Sequence, residues 1–375
     1  MIYFDNAAFR ELLPKVKNSC EMLLERYSGN PEAAHARGFT LRQELKTLQE
    51  KLFSSVVPQA VKYPHQCFFG SDATSLINQL SMVLQNKKQT AWASALDHIA
   101  NRLMLERTFG KVENMALNKY GIIENLPDSA ELPDFIFVTH VQSEIGVRQP
   151  LPELMRKLRA AAPQTMILVD MVQSLGMESY PLDAPLPDLL LISGAKIGSG
   201  GGAALLAIGG SSGIIQKKFD DLRKKEHLSG NVNMFQAAAL TLACQELDMQ
   251  RQENLAAISR INKYLRCELQ NKILPNGGKC TVTVPEDLAS PHILHIMLEG
   301  YQSGVLVRLF SAENIMVAAG SACEAETREP SAILTRLGYS KNAAFSGLRL
   351  SFSEGNTMDE AGTFLRTMEK ILKNY

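Results

Sequence analysis

Two nucleophilic side chains, Lys196 and Cys323, stand far apart in the sequence. Lys196 follows the apolar run at 189–192 and precedes a glycine-rich turn, where a lysine can form a Schiff base with pyridoxal phosphate. Burial among apolar strands would lower the pKa of this amine and favour the neutral nucleophile that the chemistry requires. Most lysines are solvated surface groups, and only the sequence context makes Lys196 a candidate for Schiff-base formation.

Two further residues suit a pyridoxal site. Asp170 ends the apolar run at 166–170, where its carboxylate could keep a pyridine nitrogen protonated and make the ring an electron sink. Gln173 follows three residues later and could donate to the phenolic oxygen of the ring. The alternative is that both side chains cap the next helix.

The stretch at 69–74 predicts a phosphate seat. Here a strand gives way to a helix, whose free backbone amides, including that of Ala73, and positive dipole end attract anions. Ser71 and Thr74 would add hydroxyl donors. The simpler interpretation is that Ser71 or Asp72 only caps the helix.

Three more side chains have both a chemical and a structural interpretation. His98 could stack on the face of a cofactor and move protons, although a lone histidine is more often structural. Arg349 could bind a substrate carboxylate with its guanidinium or form an ordinary ion pair. Cys323 lies in a loop of small residues beside glutamates that would raise its thiol pKa, and most cysteines are inert small hydrophobes.

Short apolar runs alternate with amphipathic segments, which predicts an α/β fold with a largely parallel sheet. Helical periodicity is clear over 38–56 and again from Thr74. Buried strands are predicted at 66–69, 90–93, 135–141, 166–170, 189–192 and 203–208.

A length of 375 residues favours two structural units. The stretch at 232–271 has helical spacing without glycine or proline, and it predicts one long helix or two abutting helices that leave the first unit. We predict a large domain over 12–247 and a small α+β domain that combines 1–11 with 248–375.

Composition narrows the function. Thirty-nine basic residues balance 39 acidic ones, so no nucleic-acid or membrane surface is indicated. The six cysteines lack the spacing of zinc ligands or of a secreted disulfide framework, so we expect no metal and reduced thiols. No signal peptide or long apolar run is present, and a cytoplasmic protein that acts on a small molecule is expected.

In their order along the chain, these motifs resemble the cysteine desulfurases of the class V aminotransferase group, which are fold type I pyridoxal-phosphate enzymes. The likeness covers almost the whole chain. The matching stretches are 2–8, 29–35, 69–74 with His98, 143–146, 170–173, 193–196, 320–323, 329–331, 349–351 and 356–357.

The resemblance implies a homodimer with a mostly parallel seven-stranded sheet and a cofactor held covalently by Lys196. It implies that His98 stacks on the ring and that Asp170 and Gln173 tune it. The other implied contacts are Ala73, Thr74 and Ser193 to phosphate, and Arg349 and Ser143 to the substrate.

By the same resemblance, the reaction converts L-cysteine to L-alanine. Lys196 would move a proton from the substrate Cα, and the Cys323 thiolate would take the sulfur as a persulfide. The Gly-Ser-Ala-Cys sequence at 320–323 resembles the motif of those family members that serve iron-sulfur-cluster and thio-modification pathways. The resemblance therefore implies a sulfur-acceptor protein as a partner.

The chain departs from the family at the phosphate and substrate positions. Ala195 stands where histidine is usual, Ser143 where an asparagine would help to position substrate, and Ser75 where glutamate is usual. Asn231 stands where a partner subunit's threonine would bind phosphate. One lost charge-assisted phosphate contact would weaken cofactor binding by about 1.5–3 kcal/mol.

Three alternatives stay open. Ser143 and the altered glycine turn at 198–202 suit another reaction on the same fold, such as that of a selenocysteine lyase or an aminotransferase. Ala195 and Asn231 suit a catalytically weakened homologue that acts as a sulfur-accepting or binding subunit. A cysteine hydrolase that pairs Cys323 with His98 or His295 has the least support, because no signature of that kind surrounds the thiol.

Overall fold

The computed structural model describes residues 1–128, 131–209, 231–320 and 329–375. Its helices are α1 (Pro14–Arg26), α2 (Ala36–Val56), α3 (Ala73–Leu84), α4 (Ile99–Thr108), α5 (Leu151–Ala161), α6 (Met234–Met249), α7 (Arg251–Leu269), α8 (Ser303–Ala312), α9 (Ala332–Arg336), α10 (Lys341–Ala344) and α11 (Met358–Lys373). Its strands are β1 (Ile2–Tyr3), β2 (His65–Gly70), β3 (Asn86–Ala93), β4 (Phe109–Asn114), β5 (Ala116–Leu117), β6 (Ile123–Asn125), β7 (Phe135–Thr139), β8 (Met166–Asp170), β9 (Leu189–Ser193), β10 (Ala203–Ile208), β11 (Cys280–Val282), β12 (Ile293–Leu298), β13 (Ile315–Met316) and β14 (Gly347–Ser351).

A seven-stranded sheet forms the centre of the molecule, with the order β2-β10-β9-β8-β7-β3-β4. Neighbouring strands are parallel except that β10 is antiparallel to both β2 and β9. The predicted α/β fold with a mostly parallel seven-stranded sheet is therefore confirmed. The strand predicted at 135–141 ends earlier, at Thr139, because Val141 turns away to form a bridge with Arg148.

The central strands of this sheet, β7, β8, β9 and β10, are buried on both faces, as expected for a mostly parallel sheet between helices. Alternate side chains point to opposite sides: Ile167 packs into one core with α1, α2, α5 and α6, whereas Leu168 packs into another with α3 and α4. This double burial explains why the strand sequences are continuous apolar runs.

A second, antiparallel sheet of order β11-β12-β14 lies in the C-terminal part of the chain. It forms its own core with α7, α8 and α11, and Phe4 from the N-terminal segment joins that core. The segment is held there because β1 pairs with β13. The helical stretch at 232–271 is two abutting helices, α6 and α7. The division into domains at residue 247 stays a prediction.

No helix in the described parts of the chain is long and apolar enough to cross a membrane.

The candidate lysine lies on a tight turn that depends on a glycine. Gly194–Lys196 form one 3-10 turn directly after β9. A Cβ atom on Gly194 would lie 2.0 Å from Ser199 Oγ and 2.1 Å from the carbonyl oxygen of Gly201. The glycine-rich stretch therefore lets two backbone segments meet beside the lysine.

The substitution Gly194→Ala is expected to destabilise the fold by about 1–3 kcal/mol, because the added methyl group must displace backbone. Gly304 in α8 is the matched control, since a Cβ there meets nothing within 4 Å and alanine is the better helix former. Urea unfolding of both variants measures the difference. Equal effects of the two substitutions would contradict the close packing at Gly194.

Candidate active site

A cavity of about 310 Å³ lies where residues that end or follow β7, β8 and β9 meet. Parallel strands end at one edge of a sheet, so residues that follow them come together there. Most of the predicted site residues line this cavity, namely Ala73, Thr74, His98, Ser143, Asp170, Gln173, Ser193, Lys196 and Arg349. Of the other two, Asn231 is exposed and does not line the cavity of its own chain, and Cys323 lies outside the described residues.

Lys196 extends from its turn toward the N-terminal segment. Its Nζ donates a hydrogen bond to the carbonyl oxygen of Ala8, and both Ala7 and Ala8 line the cavity. The segment is fixed at this place by a hydrogen bond of 2.9 Å from the Arg10 amide to the Ala195 carbonyl. The N-terminal segment thus forms one wall of the cavity and orients the lysine amine.

Asp170 is the last residue of β8, and its buried carboxyl group accepts two hydrogen bonds. Its Oδ2 accepts from Asn101 Nδ2 at 2.9 Å, and its Oδ1 accepts from the Val172 amide at 2.8 Å. Burial raises the pKa of Asp170, and these two hydrogen bonds oppose the rise. A turn and not a helix follows Asp170, so the helix-capping alternative is wrong.

Asn101 was missed by the sequence analysis. It is three residues beyond His98 on α4 and also lines the cavity. Its amide donates to Asp170, which fixes the carboxyl group in place. The spacing of an asparagine one helical turn after a candidate histidine was the available signal.

Gln173 lies across from the N-terminal segment, and its Nε2 donates to the carbonyl oxygen of Ala7 at 2.9 Å. An amide nitrogen carries two hydrogens, so this contact uses only one of them. The second N–H can serve the predicted donation to a phenolic oxygen.

His98 caps α4, because its Nδ1 accepts a hydrogen bond of 3.2 Å from the Ala100 amide. The same imidazole lines the cavity. The structural and the chemical interpretation therefore hold together. With Nδ1 acting as the acceptor, Nε2 is the nitrogen that can exchange a proton with a bound molecule.

Asp97 and Thr139 form a buried pair that the sequence analysis also missed. Thr139 Oγ1 donates to Asp97 Oδ1 at 2.6 Å, and the Ser94 amide donates to Asp97 Oδ2 at 2.8 Å. Asp97 is 1% exposed, and burial raises its pKa to about 7 despite these hydrogen bonds. Its position directly before His98 was the only signal in the sequence.

Arg349 reaches the cavity from β14 of the second sheet. Its Nη1 donates to the carbonyl oxygen of Ser143 at 2.8 Å, and its Nη2 forms an ion pair of 2.6 Å with Asp5 Oδ1. The ordinary ion pair considered for Arg349 therefore exists. Its guanidinium still lines the cavity, and its buried Nε has no hydrogen-bond partner among the described residues.

The phosphate site predicted at the start of α3 contains the carboxylate of Asp72. Asp72 caps α3: its Oδ1 accepts from the Ser75 amide at 2.8 Å, while its Oδ2 accepts from the hydroxyls of Ser71 at 2.8 Å and Ser75 at 2.7 Å. The capping interpretation is confirmed for Asp72. Thr74 and Ser193 line the same cavity and are the hydroxyl-bearing residues predicted for phosphate.

The residues at the two ends of the cavity fit a pyridoxal cofactor unequally. A lysine, a buried carboxyl, an amide and an imidazole suit its ring: Lys196, Asp170, Gln173 and His98. The α3 end offers helix amides and hydroxyl groups to the phosphate, but it also presents the Asp72 carboxylate.

Comparison with known families gives a match over nearly the whole chain. The model of the family described as Aminotransferase class-V matches residues 2–364. A NifS/IcsS protein homolog from Lactobacillus delbrueckii subsp. bulgaricus is 25% identical over 399 residues, covering 100% of this chain and 98% of the relative. The cysteine desulfurase IscS of Dictyoglomus turgidum is 22% identical and covers 99% of this chain and 94% of its own length.

Solved structures show the same fold. A NifS-like protein from Rickettsia africae superimposes with a TM-score of 0.82 at 21% identity and covers 99% of each chain. The apo cysteine desulfurase from Thermococcus onnurineus gives a TM-score of 0.77 at 18% identity, with coverage of 100% of this chain and 95% of that one. These similarities extend to both sheets, since they span the chain.

The raised pKa of Asp97 predicts how stability depends on pH. The folded state binds the Asp97 proton more tightly than the unfolded state, so stability falls as pH rises from about 4 to about 7. The variant Asp97→Asn is expected to lack this loss and to gain stability relative to the wild type across that window. Urea unfolding at about pH 5 and about pH 8 measures it.

The exposed Asp183, substituted by asparagine, is the control for this experiment and is expected to follow the wild type. A constant difference between Asp97→Asn and the wild type at both pH values would contradict the assignment of a raised pKa to Asp97.

Proposed function

Because the chain belongs to the class-V aminotransferase family, we propose that it is a pyridoxal-phosphate-dependent cysteine desulfurase that moves sulfur from L-cysteine to Cys323 and releases L-alanine. The observation that carries this proposal is one cavity lined by Lys196, Asp170, His98 and Arg349 together. The names of the relatives described above support the same reaction.

Pyridoxal phosphate, when bound, supplies an aldehyde that condenses with amines and a ring that accepts electrons. Lys196 is the residue that would hold it covalently, and Asp170 would pair with the ring nitrogen as a carboxylate fixed by Asn101. Gln173 would donate its second N–H to the phenolic oxygen. The cavity walls provide these groups already oriented by hydrogen bonds, which reduces the cost of positioning them.

Arg349 is placed to orient the substrate. Asp5 and the Ser143 carbonyl hold its guanidinium, and the N–H groups that they leave unused can bind the α-carboxylate of L-cysteine. Because the arginine is buried, this charge pairing acts in a medium that screens less than water. The contact would fix which face of the substrate Cα meets Lys196.

Lys196 would also move the proton. Its amine is directed by the carbonyl oxygen of Ala8, a neutral acceptor that leaves the amine able to take up a proton once substrate has displaced it. His98 can exchange a proton only through Nε2, because its Nδ1 is occupied by the helix cap. These assignments give the two bases separate positions along the cavity wall.

Cys323 would take the sulfur. Its thiolate attacks the Sγ atom of L-cysteine, the Cβ–Sγ bond breaks, and a proton added at Cβ completes L-alanine while a persulfide remains on Cys323. Ala318, five residues earlier, exchanges two backbone hydrogen bonds of 3.1 and 2.8 Å with Arg349. The described chain is therefore anchored beside Arg349, a residue of the cavity wall, five residues before Cys323.

We further propose a homodimer, a sulfur-acceptor protein as partner, and a cytoplasmic location. The dimer is supported by the family resemblance, in which residue 231 of a partner subunit serves the phosphate, and by Asn231, which is exposed and does not line the cavity of its own chain. Selenocysteine lyase and aminotransferase reactions remain alternatives on the same fold. The hydrolase alternative with His295 loses support, because that histidine is buried against Thr283 and does not line the cavity.

Removal of the lysine tests the cofactor assignment. Lys196→Ala, incubated with pyridoxal phosphate, is expected to lose the visible absorbance of lysine-bound cofactor, because Lys196 is the one lysine among the described residues that line the cavity. Lys88→Ala is the control, since Lys88 is exposed and remote from the cavity. An unchanged spectrum in Lys196→Ala would exclude this lysine as the attachment point.

Removal of the thiol tests the sulfur transfer. Cys323→Ser is expected to keep the cofactor absorbance and to lower sulfide release from L-cysteine in the presence of a thiol by at least about 100-fold, since a hydroxyl cannot accept sulfur. Cys267→Ser is matched to it, because Cys267 is an exposed free cysteine outside the cavity. Sulfide release at the wild-type rate from Cys323→Ser would sink the persulfide role.

A further inference from the structure

The start of α3 is a natural anion site that already contains an anion from the protein itself. Asp72 accepts the Ser75 amide hydrogen and the hydroxyl hydrogens of Ser71 and Ser75. These are donors that a phosphate at the helix end would otherwise use. A phosphate bound there must share the helix end with the carboxylate.

Asp72 is ionised at neutral pH. Its partial burial alone would raise its pKa, but hydrogen bonds from the Ser75 amide, the Ser75 and Ser71 hydroxyls and the Thr74 amide outweigh this and lower the pKa. The carboxylate therefore stays negative in the range where a phosphate ester carries between one and two negative charges.

The described lining of the cavity does not balance this charge at the α3 end. Its basic side chains have contacts elsewhere: Lys196 donates to Ala8, Arg349 pairs with Asp5, and His98 caps α4 through Nδ1. None of them is among the groups that shift the pKa of Asp72. Ala195, which also lines the cavity, contributes only a methyl group. Neutral donors therefore remain for the phosphate, and the nearby carboxylate opposes it.

This inference rests on the pyridoxal function proposed above. We infer that the Asp72 carboxylate makes the α3 end of the cavity anionic and so weakens the binding of the phosphate group. The protein would then show only a weak preference for pyridoxal phosphate over unphosphorylated pyridoxal. Asp72 is then a residue that determines cofactor specificity through repulsion. Because its side chain is exposed to solvent, screening limits the effect to about tenfold in affinity, or about 1.4 kcal/mol.

The test compares two ligands that share the ring and differ in the phosphate. The dissociation constants of pyridoxal phosphate and pyridoxal are measured by visible absorbance for the cofactor-depleted full chain, for Asp72→Asn and for Asp183→Asn. Asparagine also caps helices well, so Asp72→Asn retains the start of α3. Asp183→Asn removes the same charge from an exposed site outside the cavity.

Asp72→Asn is expected to bind pyridoxal phosphate about tenfold more tightly than the wild type does, with pyridoxal affinity unchanged within about twofold. Asp183→Asn is expected to match the wild type for both ligands. Urea unfolding checks that each variant folds, and Asp72→Ser, which also keeps a capping hydroxyl, replaces Asp72→Asn if that variant does not fold.

The inference is overturned if the preference for the phosphorylated ligand is the same in Asp72→Asn and the wild type, or is lower in the variant. That outcome, with clear binding of pyridoxal phosphate to every protein, leaves the proposed function intact. Failure of all the variants and the wild type to bind either aldehyde overturns the inference together with the pyridoxal function.

Discussion

The parallel pairing of β7, β8 and β9 is the constraint on which the rest of the site depends. Its register places Thr139 beside Asp170 and Asp170 beside Leu191, so β7 and β8 end together while β9 continues for two more residues. Ser193 then lies two residues past Leu191, and the turn that carries Lys196 begins directly after it. A shift of one residue between these strands would turn the side chains to the opposite face and separate the carboxyl group from the lysine.

The second constraint is the N-terminal segment, which links the cavity to the second sheet. Asp5 forms an ion pair with Arg349. The carbonyl oxygens of Ala7 and Ala8 accept hydrogen bonds from Gln173 and Lys196, which lie in turns that follow strands of the central sheet. Ser351, two residues after Arg349 on β14, also holds this segment, because its Oγ accepts a hydrogen bond of 2.9 Å from the Ala7 amide. One short segment thus positions side chains from the central sheet and from the second sheet. Substitutions in the second sheet can therefore alter the site although they are far from Lys196.

The sequence predicted six of the seven strands of the central sheet, and double burial leaves the clearest of them as continuous apolar runs, as at 166–170 and 203–208. It missed β4, in which three of the six residues are exposed. Most of the site residues predicted from the sequence also line the cavity, since many of them follow strands of this sheet. It missed Asn101 and Thr139, because their roles depend on contacts with residues 69 and 42 positions away in the chain. The sequence also could not decide between helix capping and phosphate binding at the start of α3, because both use the same donors. The structure shows that Asp72 already accepts hydrogen bonds from some of these donors.

The central claim is that a single amine in this cavity reacts with the cofactor aldehyde. Its most direct test is to incubate the protein with pyridoxal phosphate, reduce it with borohydride, and locate the pyridoxyl group by peptide mass spectrometry. The account predicts one labelled peptide that contains Lys196. Absence of label, or label spread equally over exposed lysines, would contradict it.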